Sequence, residues 1–214
     1  MAESPAAPAD PQERGQLRRQ QILDAAAACF VREGFHGASI ARIARAAGMS
    51  PGNLYHFFAS KEAMIAALVQ QRLDQSLAMF AEIEAAVDPL QAMLERVAVT
   101  LEQQTDPEQA ALSLEILAEA GRNPLVANIV RAADEAIREH LVRLYHYARK
   151  ARGLPGQNAG GEAMGEQVAV GEPEAVTEVL VAIFQGLPAR AISHPGLDKA
   201  RLLPVLRRAL ESLF

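Results

Sequence analysis

The chain has no tryptophan and a single cysteine, Cys29, among 214 residues. A lone thiol excludes an internal disulfide and suits a reducing cytoplasm, the expected location. Aromatic residues are only 5% of the total while alanine and leucine are frequent, a balance that disfavours sheet and favours helix. No alternating β-type run and no internal repeat occurs. No apolar run approaches membrane-spanning length, and the opening MAESPAAPADPQERG lacks the apolar core of a secretory signal. Residues 1–14 therefore read as a disordered tail. There is no HExxH, no CxxC and no glycine-rich phosphate loop after a strand. His36, His56, His140, His146 and His194 lack metal-ligand spacing. No metal, no cofactor and no enzymatic activity is expected; a helical-bundle enzyme is the weakest alternative.

Half of the chain is hydrophobic, enough for a sizeable core. The net charge of −5 argues against a nucleic-acid partner until its distribution is read. Residues 14–61 carry Arg14, Arg18, Arg19, Arg32, Arg42, Arg45 and Lys61 against only Asp24 and Glu33. The acidic excess lies in the remainder. A basic head on an acidic body is the asymmetry of a chain whose head meets phosphate.

Helix starts are explicit. Pro51, Pro89, Pro107, Pro124 and Pro173 each stand at a first helical position, and Ser50, Asp88, Asp106 and Asn123 precede the first four as caps. Gln91 and Gln109 add capping-box spacing. The pattern predicts helices at 16–33, 39–46, 50–57, 60–84, 89–104, 107–120, 124–151, 173–192 and 198–213. Residues 153–171 hold six glycines and read as a flexible loop.

The head repays closer reading. Ile22, Ala26, Cys29 and Phe30 form one buried stripe, which makes Cys29 a core residue rather than a reactive one. Gly34 ends that helix. Ser39 caps the second, which turns Ile40, Ile43, Ala44 and Ala47 inward and Arg42 and Arg45 outward. Gly48 supplies a tight turn before Ser50-Pro51. In the third helix Leu54, Phe57 and Phe58 are anchors, leaving Gly52, Asn53, Tyr55 and His56 outward. An asparagine amide matches adenine bidentately, and Tyr55 and His56 suit phosphate or the thymine methyl. Ser60 caps the fourth helix, where the dipole disfavours the cation of Lys61 unless both face one phosphate.

These residues resemble the N-terminal region of the TetR family of transcription regulators. The resemblance runs through Ile22-Leu23-Asp24-Ala25-Ala26, Phe30, Gly34-Phe35, Ser39-Ile40, Ile43-Ala44, Ala46-Ala47-Gly48-Met49-Ser50, Leu54-Tyr55-His56-Phe57-Phe58 and Ser60-Lys61-Glu62. It covers about 50 residues and implies an all-α homodimer: a three-helix helix-turn-helix DNA-binding domain, placed at 15–60, and a helical ligand-binding and dimerisation bundle, placed at 61–214, about nine helices in all. It implies DNA contacts from Ser39, Arg42, Ser50, Gly52, Asn53, Tyr55, His56 and Lys61; Arg45 joins Arg42 and Lys61 on the DNA backbone. Leu114 to Pro124 resembles a segment of one branch of the family and fixes no ligand.

In the body, helix 124–151 spans about 42 Å at 1.5 Å per residue. Its other faces suggest i, i+4 pairs Arg131–Glu135, Asp134–Arg138 and Glu139–Arg143. Met79, Phe80, Met93, Leu94, Leu112, Ile116 and Leu144 would suit an apolar or acyl-type ligand, although such a cluster also fits plain core. His140 either lines that pocket or is a hydrogen-bonded core histidine. Glu115 and Glu119 either receive a cationic ligand or, for Glu119, pair with Arg122. Val176, Val179, Leu180, Ile183, Phe184, Leu187, Leu202, Leu206 and Leu210 are expected at a four-helix dimer interface. The expected function is a ligand-responsive regulator, a repressor that binds a palindromic operator as a dimer and is released by a small-molecule inducer. The alternative is a helical small-molecule binder with no DNA role.

Overall fold

A computed structural model describes residues 11–153 and 173–214. Among the described residues there are nine helices and no strand. They are α1 (Pro11–Gly37), α2 (Ile40–Ala46), α3 (Pro51–Tyr55), α4 (Lys61–Glu84), α5 (Pro89–Gln104), α6 (Pro107–Ala120), α7 (Pro124–Ala151), α8 (Pro173–Ser193) and α9 (Lys199–Leu213). The chain divides into two compact units, Met1–Leu68 and Val69–Phe214, with the division inside α4.

The punctuation works as its chemistry requires. Pro51, Pro89, Pro107, Pro124 and Pro173 each open a helix. Ser39, Ser50, Asp88, Asp106 and Asn123 each accept a backbone N–H of the first turn. The reciprocal half of the capping boxes is diverted. The Gln91 amide donates to Glu95, and the Gln109 side chain accepts from Arg72.

Two boundaries differ from expectation. α1 starts at Pro11, so residues 11–14 of the expected tail are helical. Residues 1–10 of that tail, and 154–171 of the expected loop, lie outside the described residues. At its other end α1 breaks at Gly34, whose φ of 72° is left-handed, and resumes to Gly37. The helix expected at 50–57 is α only to Tyr55. His56 and Phe57 donate to Asn53 and Leu54, three residues back, which tightens the end into a turn.

In the first unit α1 packs on α2 and α2 on α3. Ile22, Ala26, Cys29, Phe30, Ile43, Ala44, Leu54, Met64 and Ile65 are buried to 1% exposure or less. Each large apolar side chain so buried stabilises by about 1.5–3 kcal/mol. In the second unit α8 packs on α6 and α7, and α5 on α9 and α7. Phe80, Val97, Leu101, Leu141, Tyr145, Leu180, Leu206 and Leu210 form its core.

α8 and α7 depart from two expectations. By length and composition α8 is long and apolar enough to cross a membrane, but it spends Val176, Leu180 and Leu187 on that core. The three ion pairs expected along α7 give way to other partners: Arg131 goes to Asn128, Arg138 to Glu178 on α8, and Arg143 to Glu84 on α4. Asp134 accepts from Gln185. For Arg138, Arg143 and Asp134 a neighbouring helix supplies the partner, whereas Arg131 turns back one turn along α7 itself. Finally, Val176, Leu180, Leu187, Leu206 and Leu210, expected at a dimer interface, are buried inside the protomer. Ile183, Phe184 and Leu202 pack partly buried against the same core, and Val179 is exposed.

Candidate nucleic-acid interface

The helix-turn-helix is α2, a turn and α3. Gly48 in the turn has φ 67°, a conformation that L side chains resist. Met49 N–H donates to the Ala44 carbonyl and closes the turn. Ser50 Oγ then accepts Asn53 N–H at 3.2 Å and starts α3. Leu54, fully buried, and Phe58 fix which side of α3 faces the core. Arg19 holds its far end: Nη1 donates to the Phe57 carbonyl at 3.0 Å, and the guanidinium lies 4.1 Å from the centre of the Phe58 ring.

That anchoring leaves Gly52, Asn53, Tyr55 and His56 exposed together. A side chain at Gly52 would meet nothing of the protein within 4 Å, so its bareness serves no internal packing. Ser39 and Ser50 are exposed too, and each spends its oxygen on a cap while its hydroxyl hydrogen remains available to donate.

The cations differ from one another. Arg45 stands in solvent. Arg42 Nη1 pairs with Glu33 Oε2 at 2.5 Å, and Arg32 takes Oε1 of the same carboxylate at 2.6 Å. Hydrogen bonds from Arg32 and Arg42 hold the Glu33 carboxyl below its ordinary range, and the bond to Glu33 raises Arg32. A lowered carboxyl contributes above its unfolded value, and the contribution fades as pH falls through the folded one. The cluster is therefore intact at neutral pH. Lys61 donates from Nζ to the Phe35 carbonyl at 2.6 Å and sits 4.4 Å from the centre of that ring. It ties the start of α4 to the segment after the Gly34 break, and two of its three ammonium hydrogens remain. Sequence spacing could not reveal these tertiary partners.

The second unit holds a cavity of about 310 Å³, within the range of small-molecule sites. Met79, Phe80, Met93 and Ile116 of the expected pocket line it. Leu94, Leu112, Glu115, Glu119, His140 and Leu144 do not. Leu112 and Leu144 are core. Leu94 packs against the core and Glu115 stands half-buried away from the cavity. Glu119 is buried and lies 3.6 Å from Arg122. His140 stacks on Phe80, with ring centres 5.5 Å apart, and its Nδ1 lies 3.0 Å from Glu84. Arg72, Thr100, Ser113, Asp134 and Gln185 line the cavity without having been anticipated. Arg72 and Asp134 had only their position on helices that also carry Met79 and Ile137 to recommend them.

Comparison with known proteins agrees with this layout. The family model for bacterial regulatory proteins of the tetR family matches residues 22–68, and that for the C-terminal part of BetI-type transcriptional repressors matches 86–214. The HTH-type transcriptional regulator UidR of Escherichia coli K12 is 38% identical over 132 residues, 62% of this chain and 66% of UidR. The match thus spans just under two thirds of that relative's length. The solved structure of Salmonella enterica GusR is 30% identical, with a TM-score of 0.69 over 94% of this chain and 97% of GusR. FadR of Bacillus subtilis, solved with stearoyl-CoA, has a TM-score of 0.72 over 91% and 98% of the two chains, but at 16% identity it supports the fold alone. With both units matched, and with a helix-turn-helix held by Gly48, Ser50 and Leu54, the chain belongs to the TetR family of bacterial transcriptional regulators.

Proposed function

We propose that the chain is a dimeric, ligand-responsive repressor that acts in the cytoplasm. α3 of each protomer enters a major groove of a palindromic operator. The observation that carries this reading is the joint exposure of Gly52, Asn53, Tyr55 and His56 opposite the buried Leu54. Asn53, Tyr55 and His56 read bases or the flanking sugar-phosphate. Arg42, Arg45, Ser39, Ser50 and the two remaining donors of Lys61 hold phosphates.

The pairing surface we assign to α8 keeps only Val179 from the apolar side read from sequence. Ala175, Val179, Ala182, Gly186 and Ala189 recur at i, i+4, i+7, i+11 and i+14. The three alanines and Val179 are exposed, and a Cβ at Gly186 would meet nothing. Small residues in a stripe let two helices approach closely about a two-fold axis. Ala182→Glu is expected to yield monomers by light scattering; a variant that stays dimeric would move the interface elsewhere.

A ligand in the cavity contacts α4, the helix that also begins at Lys61. Its action is to favour a setting of α4 unsuited to the operator, which requires a difference of several kcal/mol between the two settings. Selection from random duplexes supplies the test. A palindrome should emerge, bound with an affinity that falls with salt. Recovery of no preferred sequence rejects the proposal. Glu33→Gln removes a negative charge and frees Arg42 and Arg32. It is expected to tighten binding several-fold and to steepen the salt dependence by about 0.9 for each phosphate gained. An unchanged slope would show that neither arginine reaches the duplex.

A further inference from the structure

The wall of the cavity carries a cation without a counter-charge. Arg72, half-buried on α4, donates from Nη1 to Ser113 Oγ at 2.7 Å. Its Nη2 donates to the Gln109 carbonyl at 3.2 Å and to Gln109 Oε1 at 2.7 Å. Every one of these acceptors is neutral. Among the described residues no carboxylate lies within ion-pair distance of Arg72. The other arginine of the lining, Arg96, is different, because Glu82 pairs with it. Burial pushes the Arg72 guanidinium below its ordinary pKa, the sign expected for a cation taken from water without compensation. It nevertheless stays charged at any physiological pH. A charge kept in such a place is stabilised most by an anion that enters with the ligand.

The rest of the wall limits what that anion can be attached to. Met79, Phe80, Met93, Ile116, Ile137 and Phe184 offer apolar surface for a hydrocarbon or ring body. Asp134, on α7, is also on the wall, and its carboxylate accepts from Gln185 at 3.1 Å. Its negative charge opposes a second anionic group on the ligand.

We propose that the effector site selects organic monoanions, an apolar body with one carboxylate, and that Arg72 is the residue that receives the carboxylate. This deepens the ligand-responsive reading above and rests on its assignment of the cavity. The carboxylate exchanges with the Gln109 and Ser113 acceptors, so α4 trades its hydrogen bonds to α6 for bonds to the ligand.

The test uses the full chain and a charge series of equal length: decanoate, decanol and decylamine, with calorimetry in the absence of DNA. Decanoate is expected to bind roughly ten-fold or more tighter than decanol, as a charge-assisted hydrogen bond implies, and decylamine weakest of the three. Arg72→Met should abolish the preference for decanoate while leaving decanol binding in place, and Arg72→Lys should restore part of it. Equal binding of decanoate and decanol by the unaltered protein overturns the proposal without recourse to any variant, as does binding of none of the three. Because no DNA is present, failure of the operator reading leaves this result untouched. Decanoate that binds as expected but leaves operator affinity unchanged would count against the effector mechanism and not against the site.

Discussion

Leu54→Ala is expected to destabilise the protein by about 2–5 kcal/mol, the range for emptying a fully buried leucine site. Leu54 is completely buried on α3, which is barely more than one helical turn, so it is the one core side chain within that helix, beside the Ser50 cap before it and Phe58 and Arg19 at its far end. The first unit ends at Leu68 and has a small core. Domains of ordinary stability have about 5–15 kcal/mol in all, so a loss of this size removes much of the margin. Denaturant unfolding followed by circular dichroism reads the change, and DNA binding should fall in parallel with the folded fraction. A loss below about 1 kcal/mol would mean that α3 is fixed by something other than this side chain.

The two residues that follow should behave in the opposite way. Tyr55 is 54% exposed and His56 is exposed beside it. Tyr55→Ala with His56→Ala removes no buried contact, so stability should stay within about 0.5 kcal/mol. Affinity for the selected operator should nevertheless drop roughly 100-fold, since each good base contact is worth about 1–3 kcal/mol. A mobility-shift titration measures it. Retained affinity in a folded double variant would remove α3 from the recognition surface. Residues 54 and 55 are neighbours in sequence, and the pair of experiments separates what holds the reading helix from what reads.

Local chemistry was the legible part of this chain. A serine, aspartate or asparagine followed by proline has one favoured meaning, and Ser50, Asp88, Asp106 and Asn123 each took it. The buried stripe of α1 was equally readable, because period 3.6 is a property of the helix itself. What could not be read depended on which helices become neighbours. The apolar side of α8 suits a partner copy as well as it suits α6 and α7, and Leu180 and Leu187 went to the protomer core. Lys61 and Arg42 have their partners 26 and 9 residues away. Arg72 looked like any surface arginine until α6 was set beside it. Glu119 and His140 were left between two readings, and geometry places both outside the cavity lining, Glu119 beside Arg122 and His140 against Phe80 and Glu84.

The tether between Glu33 and its two arginines has a consequence for how such a protein would search a chromosome. Attraction to any duplex, whatever its sequence, grows with the number of mobile cations a protein presents. A carboxylate that occupies Arg32 and Arg42 would lower that indiscriminate grip at the surface proposed to close on one site. A genome offers millions of wrong stretches for each right one, so brief stays on the wrong ones matter as much as a long stay on the right one.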